Sequence, residues 1–558
     1  NPQYAEAFNN RGNVYYELKR FDEALQNYNQ AIVLNPQYVE AFNNRGNVLY
    51  ELKKVDEAVK SYDEALKINP QYVNVYQSLC KWHEKNGNFE MALKCIEAAY
   101  EISKNNNSVF SQRVAFKNRL NDWDDHEKTK ASFEEKIKNN QCELDLISAF
   151  SIIESPMILK DKATSHFNKK YKKNKSKNIV EYKSSKAKIK IGYFSADFRR
   201  HPGSYLMAEM FKLHNRNEFE IYAYYFGPKS DDDMQSKIKN NVDFFIDVSD
   251  KPNEAIANLA RSHGIDIAID RNVYTQHSRH EIFSFQPGKI QVSFIGFPGT
   301  SGSKYIDYII ADKNVIPDTL KIFYTEKIAY MPDCYMPTDN TRAIAKTVYK
   351  RSDFGLPDDK FIFCCFNNNF KIQPHMFKIW MSILKSNQFS VLWLLFNNKI
   401  AEINLKKQAM NHGIDPSRII FSEKIEPDEH LARHTLADLF LDTNPYGAHT
   451  TAMEALWSDL PIITLSGQSF VSRVGESILS TIGLNELITF NETEYKELAL
   501  ELSLNPKKIE ALKNKIKENK KIKPLFNTSL YTKNLERIYK VMSQRNLNNE
   551  ILSDIYLN

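Results

Sequence analysis

Between Leu439 and Trp457 the chain reads LFLDTNPYGAHTTAMEALW. An apolar run ends in Asp442, turn formers follow at Asn444, Pro445 and Gly447, and His449, Thr450 and Thr451 lead into AMEALW, which has helical spacing. A strand, a tight turn and a Thr-capped helix start leave backbone N–H groups pointing out of a helix N-terminus, at the positive end of its dipole. That arrangement suits an anion, most simply a phosphate. Many strand-to-helix junctions share this composition, so the weight comes from the groups found beside it.

FIFCCFNNNFKIQP puts Asn368, Phe370 and Lys371 just beyond another buried strand. Lysine is a compact point charge suited to a pyrophosphate, and Asn368 could read a base edge or a sugar hydroxyl. EKIEPDEHLARH starts a helix with His430 and Arg433 one turn apart. Glu454, about one turn inside the HTTAME helix, could accept a ribose hydroxyl, although a solvent-facing glutamate is the commoner case. Earlier, DFRRHPGSY follows the strand-like IKIGYF, and the proline after His201 biases that histidine out of the helix into a loop. There it could act as a general base or bind a ligand; a lone loop histidine is more often neither. GFPGTSG, from Gly296 to Gly302, permits close backbone approach to a ligand but equally suits a plain turn. Taken together, the groups after residue 360 describe a pocket for a nucleotide diphosphate. No GxGxxG or Walker-type lysine loop occurs, which argues against dinucleotide oxidoreductases and P-loop ATPases.

The elements that must position these groups alternate from Ile189 onward. IKIGYFSADF, FEIYAYYFG, VDFFIDVS, IDIAID and KIQVSFIGFPG read as strands with helices between them, and the rhythm restarts after an irregular passage with FIFCCF, SVLWLLF, RIIFSEKI, LFLDT and PIITLSG. Two Rossmann-like domains in tandem are predicted, with ligand groups in the loops after their strands. The last seventy or so residues read as helical.

The first hundred residues repeat. NPQYAEAFNNRGNVYYELKRFDEALQNYNQAIVL from Asn1 returns from Asn35 and more loosely from Asn69, a period of 34. Gly12, Tyr15, Ala24, Tyr28, Ala31 and Pro36 fall at the signature offsets of the tetratricopeptide repeat, which the stretch resembles. The pattern is already under way at Asn1, so the array is expected to belong to a longer one. Asn10 and Asn44 occupy equivalent places, where a ladder of amides could hold a peptide backbone, or simply face solvent. From about Val109 the helical pattern continues without the period, and HFNKKYKKNKSKNIVEYKSSKAKIK is expected to be a solvated linker.

With 558 residues the chain needs several domains, and a net charge of +6 is too slight to make nucleic acid the main partner. No apolar run approaches a membrane span. The six cysteines show neither paired nor metal-ligand spacing, so a reducing, cytoplasmic setting with free thiols is the expectation.

Tetratricopeptide repeats followed by SADFRRHPGSYLM, FIGFPGTSG, CCFNNNFKI, EHLAR and LDTNPYGAHTTAMEALW resemble the protein O-linked N-acetylglucosaminyltransferases, in particular their bacterial members. The resemblance implies an α-solenoid followed by a GT-B fold, α plus α/β. In that scheme repeats occupy 1–108, a helical region and lysine-rich linker 109–186, an acceptor and sugar lobe 187–345, a nucleotide-sugar lobe 346–525, and a helical segment 526–558. It implies UDP-N-acetylglucosamine as donor, serine or threonine of proteins as acceptor, inversion, and neither metal nor cofactor. His201 matches the histidine at the sugar, and Lys371 the lysine on the diphosphate. His449, Thr450 and Thr451 match the phosphate-holding HTT, and His430 and Arg433 match nucleotide-site positions. Ile425 to Pro427 matches the segment lining the uracil. Thr275, Gly296, Phe297, Pro298 and Tyr446 complete the implied substrate set. The chain departs from the family pattern at Asn368, Phe370, Pro427 and Glu454, where glutamine, tyrosine, lysine and aspartate stand. SAFSII around Phe150 lacks the second histidine of the animal enzymes. Relatives that transfer fucose or glycosylate asparagine share the framework, and an inactive scaffold is the remaining alternative.

Overall fold

The computed structural model describes residues 4–139, 141, 143–171 and 187–557. Cys142 and the centre of the lysine-rich stretch, 172–186, lie outside the described residues. The chain forms two compact units, Asn1–Leu144 with Asn398–Asn404, and Asp145–Asn397 with Leu405–Asn558.

In the first unit the helices pair as Ala5–Glu17 with Phe21–Leu34, Val39–Glu51 with Val55–Ile68, and Val73–Lys85 with Phe89–Ile102. The repeat signature explains the pairing. A Cβ at Gly12 would meet the Tyr28 ring at 2.6 Å, and one at Gly46 the Tyr62 ring at 2.5 Å, so each glycine lets a tyrosine lie against the facing helix. Each ring then hydrogen-bonds an asparagine one residue further on, Tyr28 to Asn13 at 2.7 Å and Tyr62 to Asn47 at 2.8 Å. In the third pair Cys80 and Ile96 fill the equivalent places, both buried, which is why the period loosens there. The helices Asn107–Arg119 and His126–Lys138 belong to this unit as well. The compact unit thus runs past the repeats to Leu144, and Arg113 ties Glu97 of the third pair to Asp125.

The second unit begins with the helices Leu146–Phe150 and Pro156–Lys170, the latter taking in the first residues of the stretch expected to be linker. Two parallel sheets follow. The first contains β1 (Ile189–Ser195), β2 (Phe219–Tyr225), β3 (Phe244–Asp247), β4 (Ile267–Asp270), β5 (Ile290–Ser293), β6 (Tyr308–Ala311) and β7 (Lys327–Tyr330). The second contains β8 (Phe361–Cys365), β9 (Ser390–Leu395), β10 (Ile419–Ser422), β11 (Leu439–Leu441), β12 (Ile462–Leu465) and β13 (Ile488–Thr489), and β14 (Ile555–Tyr556) closes the chain. The spatial orders are β14-β7-β6-β5-β4-β1-β2-β3 and β10-β9-β8-β11-β12-β13. Both have the Rossmann order, reversing direction between β1 and β4 in one lobe and between β8 and β11 in the other. Most of their strands are buried on both faces, which is what their continuous apolar runs require.

The segment 526–558 is not a separate tail. Its helix Thr528–Leu547 packs Leu535, Ile538, Tyr539 and Met542 into the core of the first lobe, and β14 extends that lobe's sheet beside β7. Tyr539 meets the buried hydroxyl of Tyr193 at 3.0 Å, and Glu536 meets His214 at 3.1 Å.

Candidate active site

The loops at the two reversal points carry most of the residues singled out by the sequence. In the second lobe Lys371 follows β8 and the loop 442–449 follows β11. The Lys371 ammonium donates to the Gly447 carbonyl at 2.9 Å and lies 3.7 Å from the centroid of the Tyr446 ring. Desolvation lowers its pKa to about 8, while Asp442 and Cys365 pull it back up. His449 is held well below the ordinary imidazole range, first by desolvation and then by the charge of Lys371, so it is neutral beside the lysine. Its Nε2 lies 3.5 Å from the Val471 carbonyl.

The helix Thr450–Trp457 has His449 at its N-cap and no side-chain cap, which corrects the Thr-capped expectation. Thr450 and Thr451 are its first two residues. Ala452 and Met453 donate their N–H groups to the His449 carbonyl, and the N–H groups of Thr450 and Thr451 have no acceptor among the described residues. An uncapped helix start with two open donors next to an ammonium is an anion cradle. The Thr451 hydroxyl is committed to Asn367.

Two residues that sequence reasoning passed over hold this loop. Asp442, fully buried, accepts from the N–H groups of Thr443 at 2.7 Å and Ala448 at 2.6 Å and from the Thr464 hydroxyl at 2.8 Å. Asn367 donates to Asp442 at 3.2 Å and to the Thr443 hydroxyl at 2.8 Å. The only signal for either was its place just after an apolar strand. Asn368 is exposed, its side chain accepting from the Phe370 N–H at 3.4 Å, and the Phe370 ring stands edge-on to Tyr446 at 6.0 Å.

Further along, Ile425 and Pro427 are partly exposed at the start of the helix Pro427–Arg433. Arg433 is a correction to the implied site. It is fully buried, donating to the Glu423 carbonyl and to His430 Nδ1 at 2.9 Å, with its guanidinium 5.0 Å from the Phe366 ring. It holds His430 from behind, and its Nη2 has no partner among the described residues. With Nδ1 accepting, the neutral His430 ring carries its proton on Nε2, which faces Glu454 at 4.0 Å. Desolvation, then His434, Arg433 and Arg342, keeps His430 neutral. Glu454 does not face open solvent: it is 13% exposed and its other oxygen takes Arg342 at 2.9 Å. Arg342, in the irregular passage between the lobes, was not foreseen; it also lies over the Tyr205 ring of the first lobe.

In the first lobe His201 caps the helix Pro202–Leu213, its Nδ1 accepting the Gly203 N–H at 3.2 Å. Its side chain is 39% exposed, with Nε2 3.8 Å from Asp197, which the Asn272 amide fixes at 2.7 Å. Desolvation lowers the His201 pKa, Asp197 opposes, and Arg271 and Arg199 add to the lowering. The neutral ring therefore carries its proton on Nε2 and presents a donor there rather than a base. The same Asn272 amide donates to the Thr275 hydroxyl at 2.8 Å, so Thr275 shares this network. Gly296 is needed for close approach, since a Cβ there would lie 1.5 Å from the Arg271 carbonyl oxygen. Phe297 and Pro298 are buried, Phe297 packing on Phe150 at 5.1 Å.

The two sets meet. The helix after His201 contacts the helix that begins at Thr450, Phe150 packs edge-on against Tyr446 at 6.0 Å, and Arg200 reaches Glu426 at 3.1 Å. In the first unit Asn10 is exposed, whereas the Asn44 amide is already spent on Asn9 at 3.0 Å and Asn13 at 3.1 Å, so the two are not an equivalent free ladder. Among the described residues no cluster of three or more His, Cys, Asp or Glu could hold a metal, and no helix is long and apolar enough to cross a membrane.

Two Rossmann-order lobes in contact, the second with an anion cradle at its reversal point, define the two-lobed class of glycosyltransferase fold. The model of glycosyl transferase family 41 matches residues 159–347 and 338–535, and the chain belongs to that family. Tetratricopeptide repeat models match residues 12–53 and 39–72. A probable UDP-N-acetylglucosamine–peptide N-acetylglucosaminyltransferase of Arabidopsis thaliana, SEC, is 38% identical over 358 residues, 63% of this chain and 37% of that protein. A UDP-N-acetylglucosamine–peptide N-acetylglucosaminyltransferase of Caenorhabditis elegans is 27% identical over 470 residues, covering 64% and 41%. The chain thus spans about two fifths of these relatives. The solved structure of a Thermobaculum terrenum O-GlcNAc transferase mutant superposes with a TM-score of 0.70 over 98% of both chains at 20% identity, which establishes the shared fold.

Proposed function

We propose that the chain transfers N-acetylglucosamine from UDP-N-acetylglucosamine to serine and threonine hydroxyls of proteins, with inversion and without a metal. The observation that carries this reading is the cradle formed by Lys371 and the open N–H groups of Thr450 and Thr451, lying across from the His201 loop. The names of the relatives support the donor and the acceptor class.

Displacement at the anomeric carbon passes through an oxocarbenium-like transition state while negative charge grows on the departing diphosphate. Lys371 and the helix start would hold that charge, with Asp442 and Asn367 keeping both in place, an electrostatic contribution of the kind worth roughly 100- to 1000-fold per donor. Glu454, steadied by Arg342, would take a ribose hydroxyl, and Ile425 to Pro427 with Asn368 would line the base. His201 would donate from Nε2 to the sugar or the acceptor oxygen, leaving the hydroxyl proton to water or to a donor phosphate oxygen. The repeats would bring in the acceptor polypeptide. Among the described residues five cysteines are buried and unpaired, which suits a reducing, cytoplasmic setting.

Calorimetric titration with UDP, followed by a panel of UDP- and GDP-sugars and mass spectrometry of co-expressed proteins, tests the proposal. UDP binding with HexNAc added to serine or threonine is the expected result. Absence of UDP binding would leave a scaffold, and transfer from another nucleotide sugar would reassign the donor.

A further inference from the structure

We infer that Tyr446 is a positioning residue for Lys371, its ring acting as the seat on which the ammonium is held toward the helix start at Thr450. The inference rests on the reading that Lys371 receives the diphosphate. Its basis is geometric. The ammonium is 3.7 Å from the ring centroid, well inside the range in which a cation is drawn to an aromatic face. Among the described residues its one hydrogen-bond acceptor is the Gly447 carbonyl, at 2.9 Å. No carboxylate lies within salt-bridge distance of it among the described residues; Asp442 acts only from further away and is occupied by backbone and hydroxyl donors.

The ring itself is held in place. Phe150 and Phe370 pack against it at 6.0 Å, inclined at 81° and 70°, and His449 at 5.2 Å. The Thr443 hydroxyl fixes the Tyr446 carbonyl at 2.7 Å. Phe150 also packs on Phe297 of the first lobe, so the seat is braced from both lobes. A cation on a ring keeps its charge while its N–H donors stay less committed than they would be to a carboxylate, so an incoming phosphate would displace only a weak partner.

The charged and titratable groups facing Lys371 are Asp442 after β11 and Cys365 at the end of β8, which favour its charge, and neutral His449, whose own protonation the lysine opposes. Replacing Tyr446 by leucine keeps an apolar side chain beside the ammonium but removes the negative ring face. The Lys371 midpoint, about 8 in the parent, is then expected to move to lower pH. Phenylalanine keeps the face and is expected to keep the midpoint.

The experiment measures UDP affinity by calorimetry for the parent, Tyr446→Leu, Tyr446→Phe, Lys371→Met and the Leu/Met double variant. The Lys371 midpoint is read without ligand by NMR titration of reductively ¹³C-methylated protein, with Lys371→Met assigning the signal. Tyr446→Leu is expected to weaken UDP binding about tenfold at pH 7.5 and lower the midpoint. Tyr446→Phe should stay within about twofold, and leucine should cost nothing further once Lys371 is methionine. An unchanged midpoint in Tyr446→Leu, or an equal loss in the Lys371→Met background, would overturn the inference. If the parent fails to bind UDP, the proposed function falls while the midpoint shift still decides the role of Tyr446.

Discussion

The two reversal points have the same topology and opposite chemistry. After β11 the helix start is uncapped: Thr450 and Thr451 keep their N–H groups open beside a partly exposed lysine. After β1 the helix start is closed. Pro202 has no N–H, the Gly203 N–H goes to His201 Nδ1, and the Ser204 N–H goes to the His201 carbonyl. The arginine packed against that turn, Arg271, is 2% exposed, with a long 3.5 Å bond to Ser195 and Phe198 as its cation–π partner, and the exposed Arg200 of the same loop is paired with Asp233 and Glu426. A Rossmann order therefore brings loops together at two places, but capping decides at which of them backbone donors stay open. The first lobe is left with a half-exposed neutral imidazole whose Nε2 lies 3.8 Å from Asp197.

The sharpest way to break this contrast is to remove the cation from the open side. Lys371→Ala is expected to lose at least 100-fold in transfer rate in a folded protein, measured by steady-state transfer with circular dichroism as the folding control; near-normal turnover would end the contrast. Asp442→Ala removes the carboxylate that holds the open loop and leaves buried donors unpaired. It should destabilise the protein by about 2–4 kcal/mol, read as a lowered urea midpoint, whereas an unchanged midpoint would mean the loop is held otherwise.

On the closed side, His201→Ala should cost about 10- to 100-fold in kcat with little change in donor KM, because the loss is of one hydrogen-bond donor at the reacting end. A KM effect alone would make His201 a binding group. The pH dependence of UDP affinity separates the sides further. Lys371 is charged below its pKa of about 8, so affinity should be level below that value and weaken as pH rises through it; a decline on the acid side instead would assign control to a histidine. The smallest effect is expected from Pro202→Ala. This restores one N–H to the closed helix start, and it should lower the melting temperature slightly without a phosphate site appearing, since the next two donors are already spent. A gain in phosphate affinity there would show that proline alone kept the site shut.

Much of this was legible along the chain. The 34-residue period, the alternation of strands and helices, and the placing of Lys371, His449 and Thr450 after apolar runs all depend on spacing, and spacing is local. The helical segment after 526 read correctly as helix, yet its return to the first lobe was invisible, because the partners of Tyr539 and Glu536 lie more than 300 residues away. Arg433 matched a site position through the family resemblance, and its helix turns it inward among Phe366 and Trp393.

What the residues determined unaided is which groups sit at which strand ends, since binary patterning and turn chemistry act over a few neighbours. Tertiary structure alone decided which of those groups stay available. The Asn44 amide is consumed by neighbours from the preceding repeat, Arg433 is buried behind His430, the Thr450 and Thr451 amides stay open, and Glu454 is steadied by an arginine from between the lobes. Availability of a polar group depends on every donor and acceptor that folding brings within about 3 Å, and chain order does not record that set.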